Sequence, residues 1–280
     1  PDWLSFFMFT YFTDRDGKMQ LAALAESGFD PLSRSCRFML TEEAHHLFVG
    51  ETGVQRMIEA TCTAMKKAGI TDLHDVAAVR QLGVVDLPLL QRKANFHMSV
   101  TRDLFGSEIS SNAAEAFSTG LKGRFSEAKL EGDDHVLQDA TYTVTRVAGG
   151  RFVDEAVPAL RAINCRLLDD YIADCQGGID RWNKVIEKAG FEFRLTQPHK
   201  GFNRRIGEFA GHRISPDGRL LDEAQWHAGQ SAWLPNDEDM QFISSLMKPC
   251  VEPGQYASWI APPARGINNQ PTEFEYVKIA

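Results

Sequence analysis

The chain has 280 residues, 43% of them hydrophobic, and a formal net charge of -8. That length allows one large domain or two smaller ones, and an acidic balance without a long basic run argues against nucleic acid or an anionic membrane surface as a partner. Five cysteines (Cys36, Cys62, Cys165, Cys175, Cys250), scattered and without a C-x-x-C pair, read with the absence of a signal peptide as reduced thiols of a cytoplasmic protein; no apolar stretch reaches the ~18 residues a membrane span needs.

The chain opens Pro1-Asp2-Trp3, without Met and directly at a helix-start signal, as the later part of a longer polypeptide would. Asp2 is placed to cap a first helix. Eight of the ten residues from Trp3 to Phe12 are apolar or aromatic, a pattern that predicts burial on most sides. Ser27-Gly28-Phe29-Asp30-Pro31 breaks the pattern, with Gly ending one helix and Pro opening the next. The second helix is predicted from about Leu32 to Lys67, ending at Gly69. Gly50 and Gly53 inside it each lower helix propensity by roughly 1 kcal/mol, which predicts close packing or a local irregularity there.

Residues 70 to 131 also read as helical, with Asp72 capping a short helix, Asp86-Leu87-Pro88 opening another and Asn112-Ala113-Ala114 a third. Asp133-Asp134-His135 follows Gly132 and reads as a helix end capped by its own side chains. Thr141 to Val147, Ala148-Gly149-Gly150 and Arg151-Phe152-Val153 form the pattern of a β-hairpin. Pro158 starts one more long helix, to about Lys188. From Phe191 onward, alternating segments such as Phe191-Glu192-Phe193-Arg194-Leu195 predict small strands and an extended tail wrapped over a helical body.

The chemistry concentrates in Thr41-Glu42-Glu43-Ala44-His45-His46. Glu43 and His46 share one helix face, and Glu-x-x-His with an acid from a neighbouring helix is the half-site unit of a ferritin-like di-iron bundle. Asp14 lies 15 residues before Phe29 and Glu43 lies 14 after it. In an antiparallel hairpin both would stand about 21 Å from the turn. Helix axes about 8–10 Å apart would let both carboxylates meet one cation. Asp14 would be a terminal ligand, Glu43 a bridge and His46 the nitrogen ligand of iron. A charge among Phe6, Phe7, Phe9 and Phe12 also needs a partner to offset its desolvation. Glu42 and His45 have the same spacing but lie about 100° away around the helix; Met39, Leu47 and Val54 near the other face favour Glu43 and His46. The expected fold is therefore mainly α. It is a ferritin-like bundle with half of the di-iron site present, a β-hairpin, and a mixed, strand- and loop-rich C-terminal extension, divided as residues 1–135 and 136–280.

Other polar groups carry less. His74, His97, His212 and His227 stand alone, and Arg166 with Asp169-Asp170 reads as helical ion pairs. Within Pro198-His199-Lys200-Gly201-Phe202-Asn203-Arg204-Arg205, three cations (Lys200, Arg204, Arg205) are candidates for the phosphates of a nucleotide-like carrier; a solvated turn is the plainer alternative. No G-x-G-x-x-G or P-loop occurs, so reducing power would come from a partner.

The chain closely resembles the oxygenase component of benzoyl-CoA epoxidases. The resemblance rests on Pro1-Asp2-Trp3-Leu4, the run Phe6 to Gln20, Ser27 to Leu32, Phe38 to His46, Ser245 to Pro249, and Tyr256 to Pro263. It implies an NADPH- and O2-dependent di-iron monooxygenase that epoxidises the ring of benzoyl-CoA and takes electrons from a separate reductase component. It also implies a pair of iron ions per complete site, held on this chain by Asp14, Glu43 and His46. The family's other half-site, a Glu and a second Glu-x-x-His, has no counterpart here and would lie on helices before Pro1. Two rivals remain at this stage: a di-iron protein for another acyl-CoA or aromatic substrate, and a metal-free helical scaffold subunit.

Overall fold

A computed structural model of the chain describes residues 2–123, 140–251 and 257–263. The Asp133-Asp134-His135 cluster and the expected division near residue 135 fall outside those residues. The fold is mainly α with a β-hairpin. Helices α1 (Trp3–Leu24) and α2 (Asp30–Ala68) form a long antiparallel hairpin, followed by α3 (Val76–Gln81), α4 (Leu87–Asp103) and α5 (Ser111–Ser118). Strands β1 (Thr141–Ala148) and β2 (Arg151–Pro158) pair antiparallel across Gly149-Gly150, both at positive φ as this tight turn requires. A 3₁₀ turn (Ala159–Ala162) leads from the hairpin into α6 (Ile163–Lys188). Among the described residues, no helix is long and apolar enough to cross a membrane.

The start and stop signals act as their chemistry requires. The Asp2 carboxylate accepts from Ser5 N–H at 2.7 Å and starts α1, and Asp86 does the same for α4 through Leu89 N–H. Gly69 ends α2 at φ 69°. The short α3 is capped by Asp75, not by the expected Asp72, which instead accepts from His74 N–H in a turn.

The core lies where α1, α2, α4 and α6 pack together. Along α6 the buried residues Leu168, Tyr171, Cys175, Ile179, Trp182 and Ile186 recur at helical spacing. On α1 the buried stripe is Leu4, Phe7, Met8, Tyr11, Phe12 and Met19. That helix is not buried on most sides as its composition predicts. Trp3, Phe6 and Phe9 are exposed, because nothing among the described residues covers the side opposite that stripe.

The C-terminal part differs from expectation too. Phe191 to Leu195 forms no strand, and the small strands are instead β3 (Arg213–Ile214) and β4 (Leu220–Leu221). Two short helices follow, α7 (Glu223–Trp233) and α8 (Asp237–Leu246). Each is opened by a capping box, Asp222 with Gln225 and Asn236 with Asp239. Asp239 is also buried between Arg80 and Arg92, which joins α8 to α3 and α4.

Close approach of α1 and α2 rests on the two glycines noticed in the sequence. A Cβ on Gly50 would lie 2.5 Å from Tyr11 N, and one on Gly53 would lie 2.2 Å from the Phe7 ring. Gly50→Ala gains helix propensity but cannot fit without moving the α1 backbone. It is expected to destabilise the protein by about 1–3 kcal/mol in chemical denaturation, the usual cost of overpacking.

Candidate metal centre

Contacts to α6 and α4 fix the height and rotation of α1. The Tyr11 hydroxyl donates to Cys175 O on α6 at 3.2 Å, and a Cβ on Gly178 would overlap it. Arg15 donates to Asp174 at 2.6 Å, with Lys18 on the same oxygen at 3.1 Å. The Thr13 and Thr101 hydroxyls meet at 3.1 Å and tie α1 to α4. Trp182 Nε1 donates to Glu51 O, holding α2 against α6. Between these anchors, α1 presents Asp14 to α2.

Asp14, Glu43 and His46 come together. One ligand atom from each lies within 4.8 Å of the other two. His46 Nδ1 faces both acids, 3.5 Å from Asp14 Oδ2 and 3.7 Å from Glu43 Oε2. The side chains are 20%, 16% and 45% exposed for Asp14, Glu43 and His46 respectively. Glu42 and His45, the alternative pair, lie exposed on the outer side of α2. Matched height and the chosen face thus bring these three side chains to one point.

The electrostatics are those of a site short of positive charge. Burial raises the Asp14 carboxyl above its ordinary range, and His46 only partly opposes this. Glu43 is raised by burial and then by the neighbouring Asp14. Glu43 Oε2 is buried without a hydrogen-bond partner, since 3.7 Å to His46 is too long for one. Beside it, α1 carries Gly17. The nearest atoms to a Cβ there are those of the Glu43 carboxylate, 3.4 Å to Oε1. Two hard carboxylate donors, an imidazole nitrogen and an unused buried oxygen suit ferrous iron or a similar divalent ion. On donor chemistry and spacing, the residues fit such a group. Sequence reasoning passed over Gly17; its signal was a glycine one helical turn after Asp14, inside a helix with no turn to make.

The expected phosphate-binding trio does not stand together. Arg204 is fully buried, with Nε 2.7 Å from Asp103 and Nη1 2.9 Å from Glu108. Its remaining donors reach the Lys200 and Ile206 carbonyls. That guanidinium is spent on the fold, because two acids buried beside it need its charge. Lys200 lies 3.5 Å from Asp169, while Arg205 is exposed. Among the lone histidines, burial pushes His97 down to about 4, which keeps it neutral in the core, and His227 pairs with Glu223 at 3.2 Å on the surface.

Two outcomes follow from these charges. Arg204→Met leaves Asp103 and Glu108 without their cation and is expected to cost about 3–5 kcal/mol in urea unfolding, as breaking a buried pair does. At the candidate centre, burial makes both acids hold their protons to higher pH when folded than when unfolded. The folded state therefore carries the extra protons between the ordinary carboxylate range and the raised values. Stability falls as pH rises through that window and stays lowered above it. Glu43→Gln is expected to raise the melting temperature of the metal-free protein near pH 7 and to shrink its fall from about pH 4.

No family model matches the chain. It is 61% identical over 278 residues to benzoyl-CoA oxygenase component B of Aromatoleum evansii, a match covering 99% of this chain and 58% of the relative. The chain thus spans rather more than half the length of that curated relative. Along nearly all of its residues the chain is thus similar to a benzoyl-CoA oxygenase component B.

Proposed function

We propose that the chain carries one half of a di-iron centre in an oxidoreductase that epoxidises the aromatic ring of benzoyl-CoA. The observation that carries this reading is the convergence of Asp14, Glu43 and His46 around an unpartnered carboxylate oxygen, in a relative of a benzoyl-CoA oxygenase component. Iron, when bound, would supply the reduction of O2. One oxygen atom would go to the ring and the other leave as water, with two electrons and two protons consumed. The electrons would come from a separate NADPH-dependent reductase, in keeping with the relative's name as one component of several.

The chain's own residues would do the holding. Asp14 and Glu43 supply negative charge, and His46 offers Nδ1 on the same side. The remaining ligands would come from the more than a third of the relative that lies outside the match. Helices from there would also cover Trp3, Phe6 and Phe9 on α1, and Met39 on α2, excluding water from the reacting ring. Arg205, exposed and with no side-chain partner among the described residues, is the one cation of the expected trio left free to meet the phosphates of the thioester carrier.

Metal analysis of the full-length protein tests this reading. About two irons per chain are expected in the parent, and Glu43→Gln is expected to lose them while keeping its helical circular dichroism. With reductase, NADPH and ¹⁸O2, mass spectrometry should find labelled oxygen in the benzoyl ring. An iron-free parent would return the chain to the class of metal-free scaffold subunits. Iron with turnover of a different acyl-CoA alone would move the activity to that substrate.

A further inference from the structure

Gly17 has no backbone reason to be glycine. It lies inside α1 and is not among the residues at positive φ. A glycine in a helix interior is less favourable than alanine, so a glycine there calls for a reason in space. At Gly50, Gly53 and Gly178 the reason is a neighbouring backbone or ring that a Cβ would strike. At Gly17 it is different in kind, because the three nearest heavy atoms are all from one carboxylate, Glu43 Oε1, Cδ and Oε2 at 3.4, 3.6 and 3.8 Å. Those distances are ordinary contact, so an alanine would fit the resting position and close off everything beyond it. One oxygen of that carboxylate, Oε2, is buried with no hydrogen-bond partner, so no donor pins that oxygen.

We propose that Gly17 is a positioning residue whose missing side chain leaves the Glu43 carboxylate room to turn between metal-binding arrangements. The inference rests on the metal-centre reading above. Carboxylates can hold metal through one oxygen or two, and a change between these modes swings the group by a large part of its width. The α1 side of Glu43 is where Gly17 supplies that room. A methyl group would restrict the swing, and a branched side chain would push the carboxylate off α1.

The test uses metal-free full-length protein titrated with Fe2+, and with Co2+ for its visible bands. Gly17→Ala is expected to fold with an unchanged or higher melting temperature, bind either ion roughly 10-fold more weakly and shift the Co2+ bands, as changes next to a metal ligand do. Gly17→Val is expected to bind more weakly still. Unchanged affinity and bands in Gly17→Ala, with the parent binding normally, would overturn the proposal. A parent that binds neither ion would overturn the metal-centre reading itself, and this inference with it.

Discussion

The approach of α1 to α2 at Gly50 and Gly53 governs the rest of this structure. With hydrogen as the only side chain at both positions, Phe7 and Tyr11 press directly onto the α2 backbone. Tyr11 is held from the other side by Gly178 and Cys175 O on α6. Two long helices clamped this way cannot slip by a residue without burying a clash. A slip of one residue would shift α1 by about 1.5 Å and rotate it by about 100°, taking Asp14 away from Glu43. The acid–acid–imidazole cluster is therefore a product of helix packing some way along the hairpin, not of local sequence alone.

Several other acids of the fold have a countercharge that Asp14 and Glu43 lack. Burial would raise the Asp174 carboxyl, but Arg15 and Lys18 overcome it and hold it below the ordinary range. Asp239 is held down in the same way by Arg92 and Arg80. Asp103 and Glu108 share Arg204. Each of these acids has a guanidinium at hydrogen-bond distance. Asp14 and Glu43 have only a half-exposed imidazole between them, and both are raised. Arginine does not match every buried acid: Asp16, raised by burial to about 6, has only Gln20 and Lys122 to oppose it. Leaving two acids without that countercharge lowers the stability of the metal-free protein, the usual pattern where function and stability pull apart. What sets Asp14 and Glu43 apart is that two such acids and an imidazole converge on one point, which supports the proposal that a cation binds there.

Much of this was legible in the sequence, for identifiable reasons. The α1–α2 hairpin, the equal heights of Asp14 and Glu43, and the face chosen for His46 all follow from helix geometry and one turn at Phe29. The caps at Asp2 and Asp86 and the Gly149-Gly150 hairpin are local, and local signals carried them. Arg204 was misread because its partners Asp103 and Glu108 are about a hundred residues away, and a buried cation looks like a solvated one in sequence. Helices α7 and α8 were read as tail although Asp222-x-x-Gln225 and Asn236-x-x-Asp239 announce them. At 11 and 10 residues they are too short for periodicity to outweigh the Gly and Pro around them.

The prediction that failed on α1 bears most on chemistry. Ten residues with eight apolar side chains should be covered on most sides, yet Trp3, Phe6 and Phe9 are exposed, as are Phe96 and Val100 on the neighbouring α4 and Leu104 just after it. Water leaves aromatic surface of this extent exposed only at free-energy cost, and monomeric proteins rarely carry it without a use. The cluster sits on this same hairpin, with His46 45% exposed. Oxygen chemistry on an aromatic ring needs the opposite, a dry site in which the oxidant meets substrate before solvent. On the proposed function, the described helices would build one wall of such a site, with Asp14, Glu43 and His46 supplying its charge. The proposal would be met by a facing wall that is apolar where it covers Trp3, Phe6 and Phe9 and polar where it reaches the open side of Asp14 and Glu43.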